Sequence, residues 1–278
     1  MTRWRAIVMT SGITVAVAAL AAILFVYSGF YNVAALSQHS RITNWVLHTV
    51  ALRSIERRAS AVRSPDLSDP GRITRGEQLF KQNCAACHGA PGVAPAAFAM
   101  GLTPAPPPLV QIAREWTASE IYWTTANGIK MTAMPPWRYR LSNDDIWAAV
   151  AFVETLPKLS VGDYKAMAAG GAPSSSNAVE ETSSPEGDVL RGKVALSQYA
   201  CASCHTIPGI VAPPGHVGPT LGDIGDRTVL AGLLANTPEN MQTWIRAPQR
   251  IKPGTVMPDE GIAEQTARDM VAYLETIR

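Results

Sequence analysis

The chain has 278 residues, 47% hydrophobic and 17% charged, with 24 Lys and Arg against 22 Asp and Glu. That length suits about two domains of ~100–200 residues, and the apolar fraction excludes a chain disordered throughout. A net charge of +2 gives no basic patch of the kind nucleic-acid binders carry, and the basic excess is confined to residues 1–63, with seven basic side chains and one acidic.

No Asp, Glu, Lys or Arg occurs between Ala6 and Ser40, and Ile7 to Phe30 is the most apolar part. A bilayer core takes roughly 20 apolar residues, so residues 1–35 read as a single membrane anchor. The alternative is a cleaved signal peptide, whose apolar stretch is shorter. Arg3 and Arg5 precede the run. The positive-inside rule then keeps the amino end cytoplasmic and puts everything past about residue 30 outside. Residues 36–69 follow as a connecting helix, in which Ile42, Trp45, Val46, Thr49 and Leu52 recur near helical spacing among Arg53, Arg57 and Arg58. Such a helix can lie at the membrane interface or dock on a partner or on the following domain.

The remainder repeats itself. Arg75-Gly76 precedes Cys84-Ala85-Ala86-Cys87-His88 and Pro91-Gly92, while Arg191-Gly192 precedes Cys201-Ala202-Ser203-Cys204-His205 and Pro208-Gly209. Met134-Pro135 then matches Met257-Pro258. The copies define domains at 70–159 and 188–278, joined by a Ser, Gly and Pro-rich stretch at 160–187 that reads as a flexible linker. Each domain, at about 90 residues, is small for an unaided core. Ser142 to Asp145 has the spacing of a capping box before Ile146, Trp147, Val150 and Val153. Thr266, Met270, Val271, Leu274 and Ile277 make a similar face in the second copy. β-type alternation is absent, and 91–108 and 208–225 read as loops.

All four cysteines fall in the two Cys-x-x-Cys-His pentads. Two thiols one turn apart beside an imidazole suit addition to the vinyl groups of haem, with His88 and His205 as iron ligands. A disulfide, a thioredoxin-like site and a zinc site compete, but the latter two lack the βαβ context and the further ligands they need.

On these motifs the chain resembles the class I cytochrome c family in a membrane-anchored, dihaem form. The resemblance implies an all-α fold, with a transmembrane helix followed by two helical haem domains and two covalently bound haem c groups. It is fullest in the second copy, through Gly218-Pro219-Thr220-Leu221 and Pro253 to Pro258. It implies attachment at Cys84, Cys87, Cys201 and Cys204, and iron ligation by His88 with Met134 and by His205 with Met257. Met131 is the rival to Met134, and Met270 is expected in the core. The carbonyl of Pro219 is implied to orient His205, whereas Pro106, Pro107 and Pro108 leave the first copy ambiguous. The family's crossing of first and last helices puts Gly76 and Phe80 near Phe152, and Gly192 near Tyr273. Propionate contacts from Trp244, Arg246, Tyr139 or Arg140 stay open, and His39, His48 and His216 read as non-ligands.

Iron held on both sides leaves no place for substrate. The expected function is electron transfer on the outer face of a bacterial cytoplasmic membrane. Electrons would pass from a quinol-oxidising complex or periplasmic dehydrogenase to a terminal oxidase or soluble cytochrome. A permanent subunit of an oxidase or dehydrogenase is the alternative, and a dihaem peroxidase the enzymatic one.

Overall fold

The computed structural model describes residues 2–168, 186–199, 201–212 and 217–278. The chain divides into a unit ending at Gln38 and a unit from His39 to Arg278. The first unit holds helix α1 (Thr2–Tyr27). Its stretch Arg3–Tyr27 has a mean hydropathy of 2.3 and buries nothing against protein. At ~1.5 Å per residue it is long enough, and apolar enough on every side, to cross a bilayer.

In the second unit, α2 (Arg41–Ala59) starts where the Ser40 hydroxyl accepts from the Thr43 amide. Ile55 and Ala59, near its end, are buried, and the helix packs on the helix Ala118–Asn127 of the first domain. Ile42, Trp45 and Val50 near its start are exposed. The two expectations for this helix therefore divide along its length: its end is docked on the first domain, and its beginning presents apolar side chains outward.

The first domain contains α3 (Pro70–Asn83), the single turn α4 (Ala85–His88), α5 (Leu109–Glu115), α6 (Ala118–Asn127) and α7 (Asn143–Val153). Asp69 caps α3, with Pro70 at the first turn where its missing N–H costs nothing. α3 crosses α7 at Gly76: a Cβ there would lie 1.9 Å from the Ala148 carbonyl oxygen, so only glycine lets the helices approach. One turn on, the fully buried Phe80 and Phe152 rings meet at 5.2 Å, and Trp147 stacks on Tyr122 at 4.1 Å. Ser142 caps α7 through the Asp145 amide. The Asp145 carboxylate accepts from Arg75 on α3, and the full reciprocal capping box is instead at Thr117 and Glu120.

Residues 160–168 correct the linker expectation. Helix α8 (Val161–Ala168) follows Ser160, Tyr164 is buried in the first core, and the Lys81 ammonium donates to the Met167 carbonyl. An aromatic ring and a methionine give this end of the polar stretch apolar surface to bury. Residues 169–185 of the expected linker lie outside the described residues, as does His216.

The second domain has α9 (Val189–Gln198), a 3-10 turn at Cys201–Ser203, β1 (Val229–Leu230), β2 (Leu234–Ala235), α10 (Pro238–Arg246), α11 (Pro248–Ile251) and α12 (Glu264–Leu274). α9 crosses α12 at Gly192, whose nearest neighbours are the Asp269 carbonyl and the Met270 nitrogen, one turn before Tyr273. Met270 is fully buried in this core, as expected. The small antiparallel pair β1–β2 was not expected. Its loop needs positive φ at Ala231 (53°) as well as Gly232 (76°), and alanine carries no turn signal.

Candidate haem sites

Each pentad folds into one helical turn. The His88 amide donates to the Cys84 carbonyl at 3.0 Å, and the His205 amide donates to the Cys201 carbonyl at 3.1 Å. That geometry puts both thiols of a pair and the imidazole on adjoining faces of the turn. All four cysteines are free, and each residue is half-buried. Burial pushes Cys84 and Cys201 up to about 12, and raises Cys87 and Cys204 as well. Among the described residues, no three His, Cys, Asp or Glu side chains gather as a metal site. Neither pair is joined as a disulfide, and the further ligands a zinc site needs are not gathered among the described residues.

Both imidazoles are oriented alike. His88 Nδ1 lies 2.7 Å from the Pro107 carbonyl oxygen, and His205 Nδ1 lies 2.8 Å from that of Pro219. Burial lowers both imidazole pKa values, partly offset by these carbonyl acceptors. A neutral ring that donates from Nδ1 keeps its Nε2 lone pair for a metal. The prolyl acceptor beside the imidazole is thus Pro219 in the second copy and Pro107, among the three consecutive prolines, in the first. Gly218 has its own part, because a Cβ there would lie 2.4 Å from His205 Cε1.

The two Met-Pro segments share a device that sequence reasoning missed. The Met134 amide donates to the Thr132 hydroxyl at 3.1 Å, and the Met257 amide to the Thr255 hydroxyl at 3.4 Å. A Thr-x-Met-Pro repeat is legible in the sequence once both segments are aligned. Beyond it the supports differ. The Met134 carbonyl accepts from the Ile129 amide, whereas the Gln249 side chain donates to both the Thr255 and Met257 carbonyls, at 2.6 and 2.8 Å. Both methionines are partly buried. Met131 is 88% exposed, which sets it apart from Met134. Tyr139 is exposed, Arg140 stacks over Trp137, and Arg246 faces Glu264 at 3.6 Å.

Comparison with known proteins gives this arrangement a family. The family model for cytochrome c oxidase, cbb3-type, subunit III matches residues 71–153, and that for cytochrome c matches residues 189–278. Cytochrome c2 of Rhodopila globiformis is 33% identical over 110 residues, covering 34% of this chain and 99% of that protein. The chain belongs to the cytochrome c family. Cytochrome c oxidase subunit 2 of Alkalihalophilus pseudofirmus is 34% identical to this cytochrome over 89 residues, or 32% of the chain and 25% of that subunit. The corresponding subunit of Bacillus sp. (strain PS3) is 35% identical over 65 residues, 23% of the chain and 18% of the subunit. The cytochrome thus spans a quarter or less of these oxidase subunits. No solved structure matches it significantly.

Membership implies covalently bound haem c and a role as an electron carrier of respiratory type. The residues present fit that group. Each domain pairs two free thiols with a neutral, carbonyl-oriented imidazole, and a Met-Pro loop whose backbone is tied down on its own side.

Proposed function

We propose that this cytochrome carries two haem c groups, one per domain, and moves single electrons at the outer face of a bacterial cytoplasmic membrane. In this reading Cys84 and Cys87, and Cys201 and Cys204, form the thioether attachments. His88 with Met134, and His205 with Met257, are the side chains that would hold the iron. Each bound haem would supply a one-electron iron couple. The chain does the rest. The Pro107 and Pro219 carbonyls hold the imidazole tautomers, and the hydroxyls of Thr132 and Thr255 fix the methionine backbones. If a side chain held the iron on each side, no position would be left for a substrate, which is why the reading is a carrier and not a peroxidase.

The observation that carries it is the doubling of one geometry, histidine on a prolyl carbonyl and methionine on a threonine hydroxyl, in two domains of different sequence. α1 would be the anchor, with Arg3 and Arg5 on the cytoplasmic side. Electrons would come from a quinol-oxidising complex or periplasmic dehydrogenase and leave to a terminal oxidase or soluble cytochrome. The matches to an oxidase subunit III and to oxidase subunits 2 favour one further reading, a permanent subunit of an oxidase. Co-purification with an oxidase in mild detergent distinguishes it from a free carrier.

The test is spectroscopic. The oxidised protein is expected to show the far-red sulfur-to-iron band with intensity for two sites. Met257→Ala and Met134→Ala should each remove half, lower the potential of their own domain, and admit carbon monoxide there. A native protein that binds carbon monoxide readily at one iron, or a Met134→Ala protein with its band intact, would overturn the reading.

A further inference from the structure

The loop that follows His88 reaches the other domain. Ala90 and Val93 bridge through hydrogen bonds of 2.9 and 2.8 Å, and the hairpin so formed turns the Gly92 amide outward. That amide donates to the Asp259 carbonyl at 2.7 Å. Gly92 lies four residues after His88, and Asp259 two residues after Met257. The approach depends on Gly261, where φ is +64° and a Cβ would lie 2.7 Å from the Ala94 nitrogen. Because that nearest atom is backbone, it cannot swing aside as a side-chain tip would.

Other contacts make this an interface and not one stray bond. Ala94 and Met100 pack against the second domain's core, and the 3-10 turn Ala97–Gly101 lies against α9. Arg114 and Glu115, at the end of α5, lie within electrostatic reach of Cys204. A cavity of about 390 Å³ beside the contact is walled by both domains, with His88 and Val161 on one side and Gln249 and Pro258 on the other.

We infer that Gly92 and Gly261 are positioning residues of a built-in joint that links the His88 loop to the Met257 loop, and that electrons pass between the two domains across this joint. The inference rests on the ligand reading above. The route is the backbone from His88 to Gly92, one hydrogen bond, and the backbone from Asp259 to Met257. One electron leaves the reduced domain and reduces the oxidised one; no covalent bond changes and no proton has to move.

The test uses the full-length, haem-loaded protein with Gly261→Ala and, separately, Met100→Gln, which loosens the joint without adding an atom to a tight backbone contact. Amide exchange of residues 90–95 reports the joint, and flash reduction of the half-reduced protein reports the intramolecular rate. The native Gly92 amide should be protected, with an intramolecular phase independent of protein concentration. Both variants should lose that protection and slow the phase by about ten-fold or more, the scale on which displacements on the order of 1 Å act on positioned reactants. Their far-red bands should stay intact. A native Gly92 amide that exchanges freely, or an unchanged rate in variants that have lost protection, would overturn the joint. If the native protein lacks the band while Gly92 is protected, the ligand assignment fails and the joint stands.

Discussion

The two cytochrome domains hold the same side chains with different supports. In the first, the helix crossing is backed by aromatic mass, Phe80 on Phe152 and Tyr122 on Trp147, and by α2 and α8 packed from outside. In the second, the crossing is backed by charge. Asp269 is buried, and it accepts from the Arg191 guanidinium, the Asp188 amide and Gln265. The first domain's counterpart, Arg75 to Asp145, lies at the surface, one turn nearer the start of the closing helix. The methionine segments diverge too, with a backbone bond from Ile129 in one and a Gln249 side chain in the other. What persists is the glycine at the crossing, the prolyl carbonyl on the imidazole and the threonine before the methionine. Those contacts recur in both domains, while the packing behind them differs.

The comparison breaks most easily at its common element. Gly76→Ala and Gly192→Ala each drive a methyl into a backbone carbonyl, and each should cost its own domain about 3 kcal/mol in chemical denaturation. A much smaller cost in either domain would mean that the helices there can part.

The charge contrast predicts a smaller and one-sided effect. Asp269→Asn should destabilise the second domain by about 2 kcal/mol, less than a fully buried pair because Arg191 is half in solvent. Asp145→Asn should cost under about 1 kcal/mol. Burial alone would raise the Asp269 pKa, but the bonds from Arg191, the Asp188 amide and Gln265 more than offset it, so the net shift is downward. The Asp145 pKa is lowered chiefly by its Arg75 bond. A depressed folded pKa gives stability that is complete above the unfolded value near 3.8 and is lost as pH falls through the folded one. Both domains should therefore weaken below about pH 4, and in Asp269→Asn the acid-side loss should shrink in the second domain only.

Gln249→Ala removes two partly buried hydrogen bonds and should cost about 1–2 kcal/mol. It should ease carbon monoxide binding at the second domain and leave the first unchanged. The smallest effect belongs to Met131→Leu, which should leave the far-red band whole and stability within about 0.5 kcal/mol. Loss of half the band there would reassign the first domain's ligand.

Much of this was legible in the sequence because haem chemistry demands particular residues at fixed spacing. The pentads, the Met-Pro pairs and the buried face of α7 follow from local pattern, and the Gly76 crossing is what the family resemblance implied. What was not legible depends on partners distant in sequence. Gln249 is an unremarked polar residue until the Met257 loop folds back over it. Asp145 completes a capping motif on paper, yet its carboxylate is drawn to Arg75. Tyr164 sits at the edge of a polar stretch, and only the first core shows why α8 forms. Three consecutive prolines offered three equivalent acceptors, and backbone direction alone selects Pro107.

Those prolines also bear on how each site is assembled. Pro108 has φ −59° and ψ 126°, close to the extended left-handed helix that proline runs favour before anything folds. The acceptor for His88 is therefore carried on a stretch with little conformational freedom to lose. Pro219 follows Gly218, the residue with the most freedom. The Pro106 to Pro108 run therefore enters folding with its local backbone near its final form, whereas the Gly218-Pro219 stretch must give up more backbone freedom to present its acceptor.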